Sequence, residues 1–494
     1  MGSIETAPAG AAELSYEKFH NVVASGLRGS EKVHHGVNPS DKSPLWDVPI
    51  ATERDLDEAV EVARKAFESW SKTSWAERQE ILGKMRDELT KHIPDMARLL
   101  SLEGGKPIQF ATGEVMASVG TLDYHSKAPS PGEEILEDGD DLKLTLRYVP
   151  LGVAGAICPW NFPLVLAMGK ISAALLTGNT IIIKPSPFTP YSVLKFAEMV
   201  QQYLPHGVLQ ALNGDDKLGP MMTEHPGIDK ISFTGSTATG KRVMVAAAKT
   251  LKRVTLELGG NSACIICPDV DVAKVAPLVA LGAFYNSGQL CVASKRLFVH
   301  ESIYQEMLEE LMKVVKGWKV GGTAEEGCML GPVQNEMQYN IVKGFFEDCA
   351  VNGYEFAIGG KAVGNESGFV IQPAIINNPP SHSRIVKEEP FGPIVPMMPW
   401  STEEELIPRV NDTRTGLGGS VYCADIERAN RIASQIEAGT VWINSFERPL
   451  TQAFFAGHKE SGLGGELGRH GLLSYMNPQV IHLYKTDVGK VAKL

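Results

Sequence analysis

The sequence has few features that would direct a protein to nucleic acid, to a membrane or to an oxidising compartment. Its formal net charge is −11, whereas nucleic acids and anionic membranes attract clustered Lys and Arg. Its seven cysteines are scattered, and residues 1–14 lack the basic and apolar regions of a signal peptide. We therefore expect free thiols in a reducing compartment, a flexible tail over residues 1–14, and neither nucleic-acid binding nor membrane insertion.

One apolar stretch is long enough to imitate a membrane span. Residues 148–169 carry no charge, but they include Pro150, Pro159 and Pro163. Prolines at that density interrupt a helix. We therefore interpret the stretch as a buried strand, turn and helix rather than as a span.

Two pairs of residues imitate redox or metal sites. Cys264 and Cys267 have the spacing of a thioredoxin motif, but they fall in a predicted strand, where an odd step places side chains on opposite faces. A buried structural role is favoured for both. The adjacent His34 and His35 have no further ligand group nearby, so no metal site is predicted.

The C-terminus resembles a targeting signal. Ala492-Lys493-Leu494 is similar to the Ser-Lys-Leu address of peroxisomal proteins, with Ala in place of Ser. Such a signal acts only when it is exposed, so both cytoplasm and peroxisome stay open as locations.

Short apolar strands alternate with helical segments through most of the chain. One helix is predicted to follow Thr52, an N-cap whose capping box includes Asp55, and a second covers residues 76–103 before a glycine pair. Strands are predicted at residues 153–157, 180–184, 230–233, 254–258 and 263–266. This alternation indicates βαβ units and a parallel sheet, so the predicted fold class is α/β. The acidic segment 128–146 departs from the pattern and is interpreted as a surface hairpin or assembly arm.

Three motifs hold side chains suited to covalent chemistry. Cys291 follows a Gly-containing turn that can present a thiol beside backbone N–H groups. Glu257 lies between leucines at a strand end, and an apolar setting raises the pKa of a carboxyl and suits it to general-base work. Asn161 stands between two prolines, where its amide could donate to an oxyanion. Taken alone, each residue also has a structural interpretation: a buried cysteine, a paired carboxylate and a turn Asn.

A fourth motif is a glycine-containing turn between a predicted strand and a helix. Gly235, Ser236 and Gly240 would allow a pyrophosphate to approach backbone N–H groups. The segment also matches the first part of a P-loop, but Arg242 stands where Ser or Thr should hold magnesium. A nucleoside triphosphatase is therefore an alternative that Arg242 disfavours.

Together the four motifs resemble those of the aldehyde dehydrogenase superfamily. The resemblance runs from about residue 35 to residue 485 and includes the segments 184–186, 389–393 and 455–462. It implies two open α/β domains and a small β arm that assembles a homodimer or homotetramer. The implied boundaries are 15–127 with 150–258 for the NAD(P) domain, 259–475 for the catalytic domain, and 128–149 with 476–494 for the arm.

The resemblance also implies a reaction, the oxidation of an aldehyde to a carboxylic acid with NAD(P)+ as hydride acceptor. Cys291 resembles the family nucleophile, Asn161 its oxyanion hole, and Glu257 the base that activates the hydrolytic water. Lys170 and Glu466 match positions that contact Glu257 or relay its proton. Relatives that transfer the acyl group to coenzyme A generally lack this Glu, so a free acid is the expected product.

Further site residues are implied by the same alignment. Cofactor contacts are expected at Ile157, Trp160, Lys184, Ser186, Pro187, Gly235, Ser236, Gly240, Glu389 and Phe391. A substrate tunnel is expected to be lined by Phe162, Gly169, Tyr285 and Phe455. A catalytically silent relative is a further alternative, although a pure scaffold would need none of the reactive side chains.

The sequence departs from the family pattern at two informative positions. Pro187 replaces the Glu that binds the adenine-ribose hydroxyls in most NAD-preferring relatives and repels a 2′-phosphate, so the protein is expected to accept NAD or NADP. Gly169 replaces a tryptophan often found before the relay lysine. We expect this change to widen the tunnel for a bulky or branched aldehyde.

Overall fold

A computed structural model describes residues 14–323, 325–360, 368–446 and 448–486. The predicted tail, apart from Leu14, and the terminal Ala492-Lys493-Leu494 lie outside the described residues. The helices, in chain order, are α1 (Glu53–Trp70), α2 (Trp75–Lys91), α3 (Ile93–Gly104), α4 (Ile108–Lys127), α5 (Pro163–Leu176), α6 (Tyr191–Val200), α7 (Leu218–Glu224), α8 (Thr237–Ala248), α9 (Val272–Phe284), α10 (Tyr304–Lys316), α11 (Glu336–Val351), α12 (Arg384–Lys387), α13 (Glu403–Asn411), α14 (Ile426–Ala433) and α15 (Gly468–Leu473).

The strands are mostly short and follow the helices in alternation. In chain order they are β1 (Asn21–Val23), β2 (Gly26–Arg28), β3 (Val33–Val37), β4 (Pro44–Pro49), β5 (Glu134–Asp138), β6 (Leu142–Pro150), β7 (Val153–Ile157), β8 (Thr180–Lys184), β9 (Leu209–Ala211), β10 (Lys230–Thr234), β11 (Arg253–Glu257), β12 (Ala263–Ile266), β13 (Arg296–His300), β14 (Lys319–Val320), β15 (Cys328–Leu330), β16 (Glu355–Ile358), β17 (Ala374–Asn377), β18 (Ile394–Trp400), β19 (Thr415–Gly416), β20 (Gly418–Tyr422), β21 (Thr440–Ile443), β22 (Phe455–Ala456), β23 (His458–Lys459), β24 (Gly462–Leu463), β25 (Gly465–Glu466) and β26 (Met476–Tyr484).

Two sheets with mainly parallel strands organise the molecule. The first has the order β2-β1-β9-β8-β7-β10-β11-β24, and its five central strands are parallel. The second has the order β16-β17-β18-β13-β12-β20-β21, and only β16 is antiparallel to its neighbour. The predicted α/β class and its five strands are confirmed, with boundaries that agree within one residue.

A three-stranded antiparallel sheet stands apart from the two parallel sheets. Its order is β26-β6-β5, so the acidic segment forms a hairpin that the chain near the C-terminus extends. Several apolar side chains of this sheet are exposed, namely Ile135, Leu136, Val480, Ile481 and Leu483. The hairpin interpretation of residues 128–146 is confirmed.

The first helices show what local sequence signals could and could not specify. Thr52 caps α1, and the reciprocal hydrogen bonds with Asp55 form the predicted capping box. The predicted helix over residues 76–103 is wrong as a single element, because it divides at His92 into α2 and α3. Pro94 lacks a backbone N–H and is most easily accommodated in the first turn of a helix, which favours the start of a new helix there. Gly105, at φ +69°, ends α3 in the left-handed conformation.

The apolar stretch that imitates a span is buried in the first half of the fold. It contributes to β6, forms β7, and continues through a turn into α5, as predicted. Among the described residues, no helix has both the length and the apolar character needed to cross a membrane. Cys264 lies within β12 and Cys267 directly follows it, and both are buried, as predicted.

A buried ion pair fixes the start of α5, the helix that follows Asn161. Lys106 and Glu114 are both buried and paired with each other. The other Glu114 oxygen accepts hydrogen bonds from the backbone N–H groups of Leu164 (3.0 Å) and Val165 (3.3 Å). A carboxylate at this position satisfies unpaired N–H groups and complements the positive end of the helix dipole.

We therefore predict that Glu114→Ala destabilises the protein strongly. Removing one partner of a buried ion pair leaves an uncompensated charge and costs about 3–5 kcal/mol. Thermal denaturation should show a clear fall in Tm relative to the unmodified protein. The matched control is Glu80→Ala, since Glu80 forms an exposed pair with Lys84 whose loss should change stability by less than about 1 kcal/mol. Equal effects of the two substitutions would contradict the assigned role of Glu114.

Candidate active site

The carboxyl ends of four neighbouring strands bring several predicted residues to one edge of the first sheet. In the order β8-β7-β10-β11, the strands end at Lys184, Ile157, Thr234 and Glu257. The register places Ile157 beside Lys184 and Thr234 beside Glu257. Ligands of open α/β sheets bind at this edge, so the predicted site has the position that the fold favours.

Cys291 follows a tight turn whose backbone is held in an unusual conformation. Asn286 and Ser287 have φ values of 51° and 56°, and Gly288 follows at 73°. Non-glycine residues rarely adopt positive φ and do so where surrounding contacts enforce it. Here the Ser287 hydroxyl donates to the Gly331 carbonyl at 2.6 Å. The turn is therefore held in place before the thiol-bearing residue.

Asn161 lies against the same turn. Its side-chain amide donates to the Gln289 carbonyl at 3.1 Å, and Asn286 donates to the Asn161 carbonyl at 3.2 Å. Asn161 is 5% exposed. The predicted amide donor is therefore hydrogen-bonded to Gln289, which lies two residues before Cys291 in the sequence.

The Cys291 thiol is in an environment that favours its neutral form. Desolvation raises its pKa to about 12, and the nearby carboxylates of Glu389 and Glu257 act in the same direction. The ammonium of Lys295 and a hydrogen bond from the Val292 backbone oppose this rise. Without a bound ligand, the thiol therefore keeps its proton at neutral pH.

Glu257 is buried at the end of β11 with its carboxyl unpaired. Neither oxygen has a hydrogen-bond partner among the described residues, and the residue is 4% exposed. Burial raises the pKa of Glu257 well above its ordinary value, and Glu466 adds to the rise while Lys170 opposes it. A carboxyl with a raised pKa is a stronger base when ionised, which suits it to general-base work.

Lys170 and Glu466 form a buried ion pair beside Glu257. The Lys170 ammonium lies 2.6 Å from a Glu466 oxygen and 2.8 Å from the Thr234 hydroxyl. The Ser232 hydroxyl donates to the same Glu466 oxygen at 2.6 Å. Burial is the largest single effect and acts to lower the pKa of Lys170, but the charge and hydrogen bond of Glu466, together with Cys158 and Glu257, outweigh it and the pKa is raised. The predicted trio is thus brought together as one charged cluster.

Glu389 and Phe391 approach the site from the second half of the chain. Burial raises the pKa of Glu389 to about 7, against the opposing charge of Lys295. A Cβ added to Gly259 would lie 2.5 Å from a Glu389 oxygen, so the glycine leaves room for this close approach. The Phe391 ring contacts Trp160 edge to face, with ring centroids 5.4 Å apart. Two predicted cofactor residues from distant segments are therefore in contact.

The glycine-containing turn after β10 begins helix α8. Ser236 is the N-cap and accepts from the Thr239 backbone at 3.3 Å. A Cβ on Gly240 would lie 2.5 Å from the Leu258 side chain, so this glycine permits close helix packing. The Lys241 ammonium is paired with the Glu460 carboxylate at 3.0 Å. This arrangement argues against a P-loop, in which the lysine would serve the phosphates.

Three predicted cofactor residues, Lys184, Ser186 and Pro187, lie at the carboxyl end of β8 and directly after it. The Lys184 ammonium donates to the Pro185 carbonyl at 3.1 Å, and burial lowers its pKa to about 8. Ser186 is buried, and its hydroxyl accepts from the Phe188 backbone. Pro187 is half-buried. A proline at this position offers no carboxylate and no backbone N–H.

Aromatic side chains surround the predicted tunnel. Phe162 and Tyr285 stack with centroids 6.0 Å apart, and Phe110, which the sequence did not single out, packs on Tyr285 at 5.0 Å. A Cβ added to Gly169 would have only the Leu467 side chain within 4 Å, at 3.7 Å. Phe455 lies in β22 opposite Glu466. The space at Gly169 is consistent with the predicted widening.

Sequence reasoning missed two buried lysines near these residues. Lys106 lies 3.8 Å from the Phe162 ring centroid, and Lys295 lies 5.0 Å from the Phe391 ring centroid. Lysine is rarely fully buried, so no local pattern distinguishes these two from surface lysines. The only hint was the position of Lys295, four residues after Cys291.

Comparison with known proteins identifies the family. The model of the family described as "Aldehyde dehydrogenase family" matches residues 27–481. The protein FUS7 of Gibberella fujikuroi is 43% identical, over 96% of this chain and 100% of its own length. The aldehyde dehydrogenase LUC3 of Fusarium sp is 40% identical over the same shares. The chain therefore belongs to the aldehyde dehydrogenase family, whose members generally oxidise aldehydes with NAD(P)+, and it is an oxidoreductase.

Solved structures agree with this assignment. An aldehyde dehydrogenase of Bacillus cereus, determined as an NAD+ complex, is 35% identical with a TM-score of 0.92. The match covers 98% of this chain and 100% of that one. The two-sheet architecture is therefore that of solved aldehyde dehydrogenases.

The thiol environment generates a prediction about chemical labelling. All seven cysteines are among the described residues, and six are buried while Cys291 is half-buried. Iodoacetamide should therefore label Cys291 first, and its rate constant should rise about tenfold per pH unit between pH 7 and 9, because only the thiolate reacts. Cys291→Ala should abolish the fast phase. A rate that levels off below pH 8 would show that the thiol pKa is not raised.

Proposed function

We propose that this protein oxidises an aldehyde to the free carboxylic acid through a thioester on Cys291. The observation that carries the proposal is the convergence of Cys291, the Asn161 amide and the unpaired carboxyl of Glu257 at the carboxyl edge of the first sheet. The overall balance is RCHO + NAD(P)+ + H2O giving RCOOH, NAD(P)H and a proton. The site requires no metal ion for this reaction.

The first half of the reaction begins at the thiol. The Cys291 thiol loses its proton to water, the thiolate sulfur adds to the aldehyde carbon, and the carbonyl π electrons move to oxygen. The Asn161 amide donates to this oxyanion, exchanging its present bond to the Gln289 carbonyl for one to substrate. When the oxyanion collapses, the carbon loses its hydrogen with the bonding pair, and an acyl group remains on sulfur.

The second half of the reaction uses Glu257 as a general base. Its carboxylate removes a proton from water as the water oxygen adds to the thioester carbon, and the carbon–sulfur bond then breaks to release the acid. Because burial raises the Glu257 pKa, the group binds this proton more readily than an exposed carboxylate would. Lys170 and Glu466 modulate this proton affinity in opposite directions.

The cofactor is proposed to be NAD or NADP, which accepts the hydride of the oxidation. Glu389 fits a ribose hydroxyl, because its carboxylate lies 3.5 Å from the Lys295 ammonium and a carboxylate can accept further hydrogen bonds. Lys184 and Ser236 would hold the adenosine ribose and pyrophosphate. Trp160 and Phe391 would bound the nicotinamide end, and Ile157, Ser186, Gly235 and Gly240 would line the intervening surface.

Domain roles, assembly and location follow as parts of the same proposal. The first sheet would belong to the cofactor domain and the second to the catalytic domain. The exposed apolar residues of the β26-β6-β5 sheet favour a homodimer or homotetramer, because such patches mark contact surfaces. Cytoplasm and peroxisome both stay open as locations.

The proposed substrate is an aldehyde with a bulky apolar body. Phe162, Tyr285 and Phe110 supply apolar walls, and Gly169 leaves space that a larger side chain would occupy. Apolar area removed from water stabilises a ligand by about 25 cal/mol per Å², so a larger aldehyde gains binding energy there.

The direct test is reduction of NAD and NADP by the purified protein over aliphatic, aromatic, terpenoid and semialdehyde substrates. Turnover that yields the free acid and vanishes in Cys291→Ala would support the proposal. Glu80→Ala is a matched surface control that should retain full activity. Absence of turnover with every aldehyde and both cofactors would instead favour a catalytically silent member of the family.

Cofactor choice generates a separate prediction. Because Pro187 supplies no carboxylate, we predict that the Kd values for NADP and NAD lie within about tenfold of each other, a difference of about 1.4 kcal/mol. Pro187→Glu should restore repulsion of a 2′-phosphate and weaken NADP selectively, as measured by titration calorimetry. Complete exclusion of NADP by the unmodified protein would contradict this prediction.

A further inference from the structure

A fully buried ammonium group lies beneath the Cys291 turn. Lys295 is 0% exposed, and its backbone N–H donates to the Ser262 carbonyl at 3.0 Å, at the start of β12. Burying a charge is costly unless polar partners replace water. The partners of Lys295 therefore indicate what the buried charge does.

Two of these partners are carbonyls of the turn itself. The Lys295 ammonium donates to the Leu290 carbonyl at 2.6 Å and to the Gly288 carbonyl at 3.1 Å. These residues lie on either side of Gln289, whose carbonyl receives the Asn161 amide. One cation therefore fixes the backbone between the residues at positive φ and the reactive cysteine.

The other partners come from the Glu389–Phe391 segment. The ammonium lies 3.5 Å from a Glu389 oxygen and 5.0 Å from the Phe391 ring centroid. A cation above an aromatic face is attracted to it, and more strongly where water is excluded. Lys295 thus connects two segments about 100 residues apart in sequence, one bearing the thiol and the other the carboxylate proposed to hold the cofactor ribose.

The charge of Lys295 acts on both groups. The titratable groups that face the Cys291 thiol are Glu389, Glu257 and Lys295, and of these only Lys295 favours the thiolate. The same ammonium favours the ionised form of Glu389. Burial opposes ionisation of the Cys291 thiol and of the Glu389 carboxyl, and the positive charge of Lys295 partly offsets that effect for both groups.

We propose that Lys295 is a positioning residue. It holds the Cys291 turn against the Glu389–Phe391 segment and supplies the positive charge that favours the thiolate of Cys291. The inference rests on the proposed role of Cys291 as nucleophile. A single side chain thereby sets the geometry of the turn and the charge balance between thiol and carboxylate.

The test measures iodoacetamide alkylation of Cys291 as a function of pH, in the full chain without aldehyde or cofactor. Lys295→Met keeps the length and burial of the side chain and removes its charge. We expect alkylation about tenfold slower at pH 8, with the pH profile displaced about one unit upward, which is the effect of one unit of pKa.

The matched control is Lys195→Met. Lys195 is equally buried, pairs with Glu198, and lies in α6 away from the turn. It should leave the alkylation profile unchanged. A profile for Lys295→Met that matches the unmodified protein, or equal slowing in both variants, would overturn the proposal.

Glu389→Gln is a second variant that tests the proposal if Lys295→Met does not fold. Glu389→Gln removes the carboxylate that opposes thiol ionisation, so alkylation should become severalfold faster, whereas an unchanged rate would overturn the proposal. Alkylation requires no dehydrogenase activity. A protein that turned over no aldehyde would therefore fail the proposed function and still give a result for Lys295.

Discussion

Burial of charge beside the carboxyl end of β11 is the constraint on which the rest of the site depends. Glu257 ends β11 of the first sheet, and Lys170 and Glu466 pair beside it, almost out of contact with solvent. Charges removed from water are stable only when partners compensate them. The ion pairs at Lys106 and Lys295 follow the same rule, and each is attached to backbone that carries a proposed catalytic residue.

This constraint explains the protonation state of the ligand-free protein. Desolvation raises the pKa of the Cys291 thiol to about 12, and it also raises the pKa of the Glu257 carboxyl well above its ordinary value. A reactive thiolate and a free carboxylate would repel each other in the same apolar space. Ionisation of both groups at once is therefore disfavoured, and a bound cationic nicotinamide would add positive charge where Lys295 already supplies some.

Local sequence signals predicted the elements well. The Thr52 capping box and the five apolar strands depend on neighbours along the chain, and they were found where predicted. The motifs around Asn161, Glu257 and Cys291 were recognised because their spacing and order are specific. The structure then placed these residues at one sheet edge, although their individual roles stay proposals.

Other features were not predicted, and most of them arise from tertiary contacts that local patterns do not encode. Glu114 and Lys106 look like surface residues in sequence, and only packing reveals that they pair beneath α5. The break between α2 and α3 was missed because apolar periodicity continues across it, although Pro94 was the available signal. The contact of Phe110 with Tyr285 joins helix α4 to the Cys291 turn, a pairing that no sequence spacing specifies.

The measurement that tests the account most directly is the mass of the Cys291 peptide after reaction of Glu257→Gln with an aldehyde and the oxidised cofactor. Glutamine cannot accept a proton from water, so hydrolysis should stall after oxidation. The account predicts one acyl group on Cys291, formed together with one equivalent of reduced cofactor. Full turnover by Glu257→Gln, or an acyl group on any other residue, would contradict it.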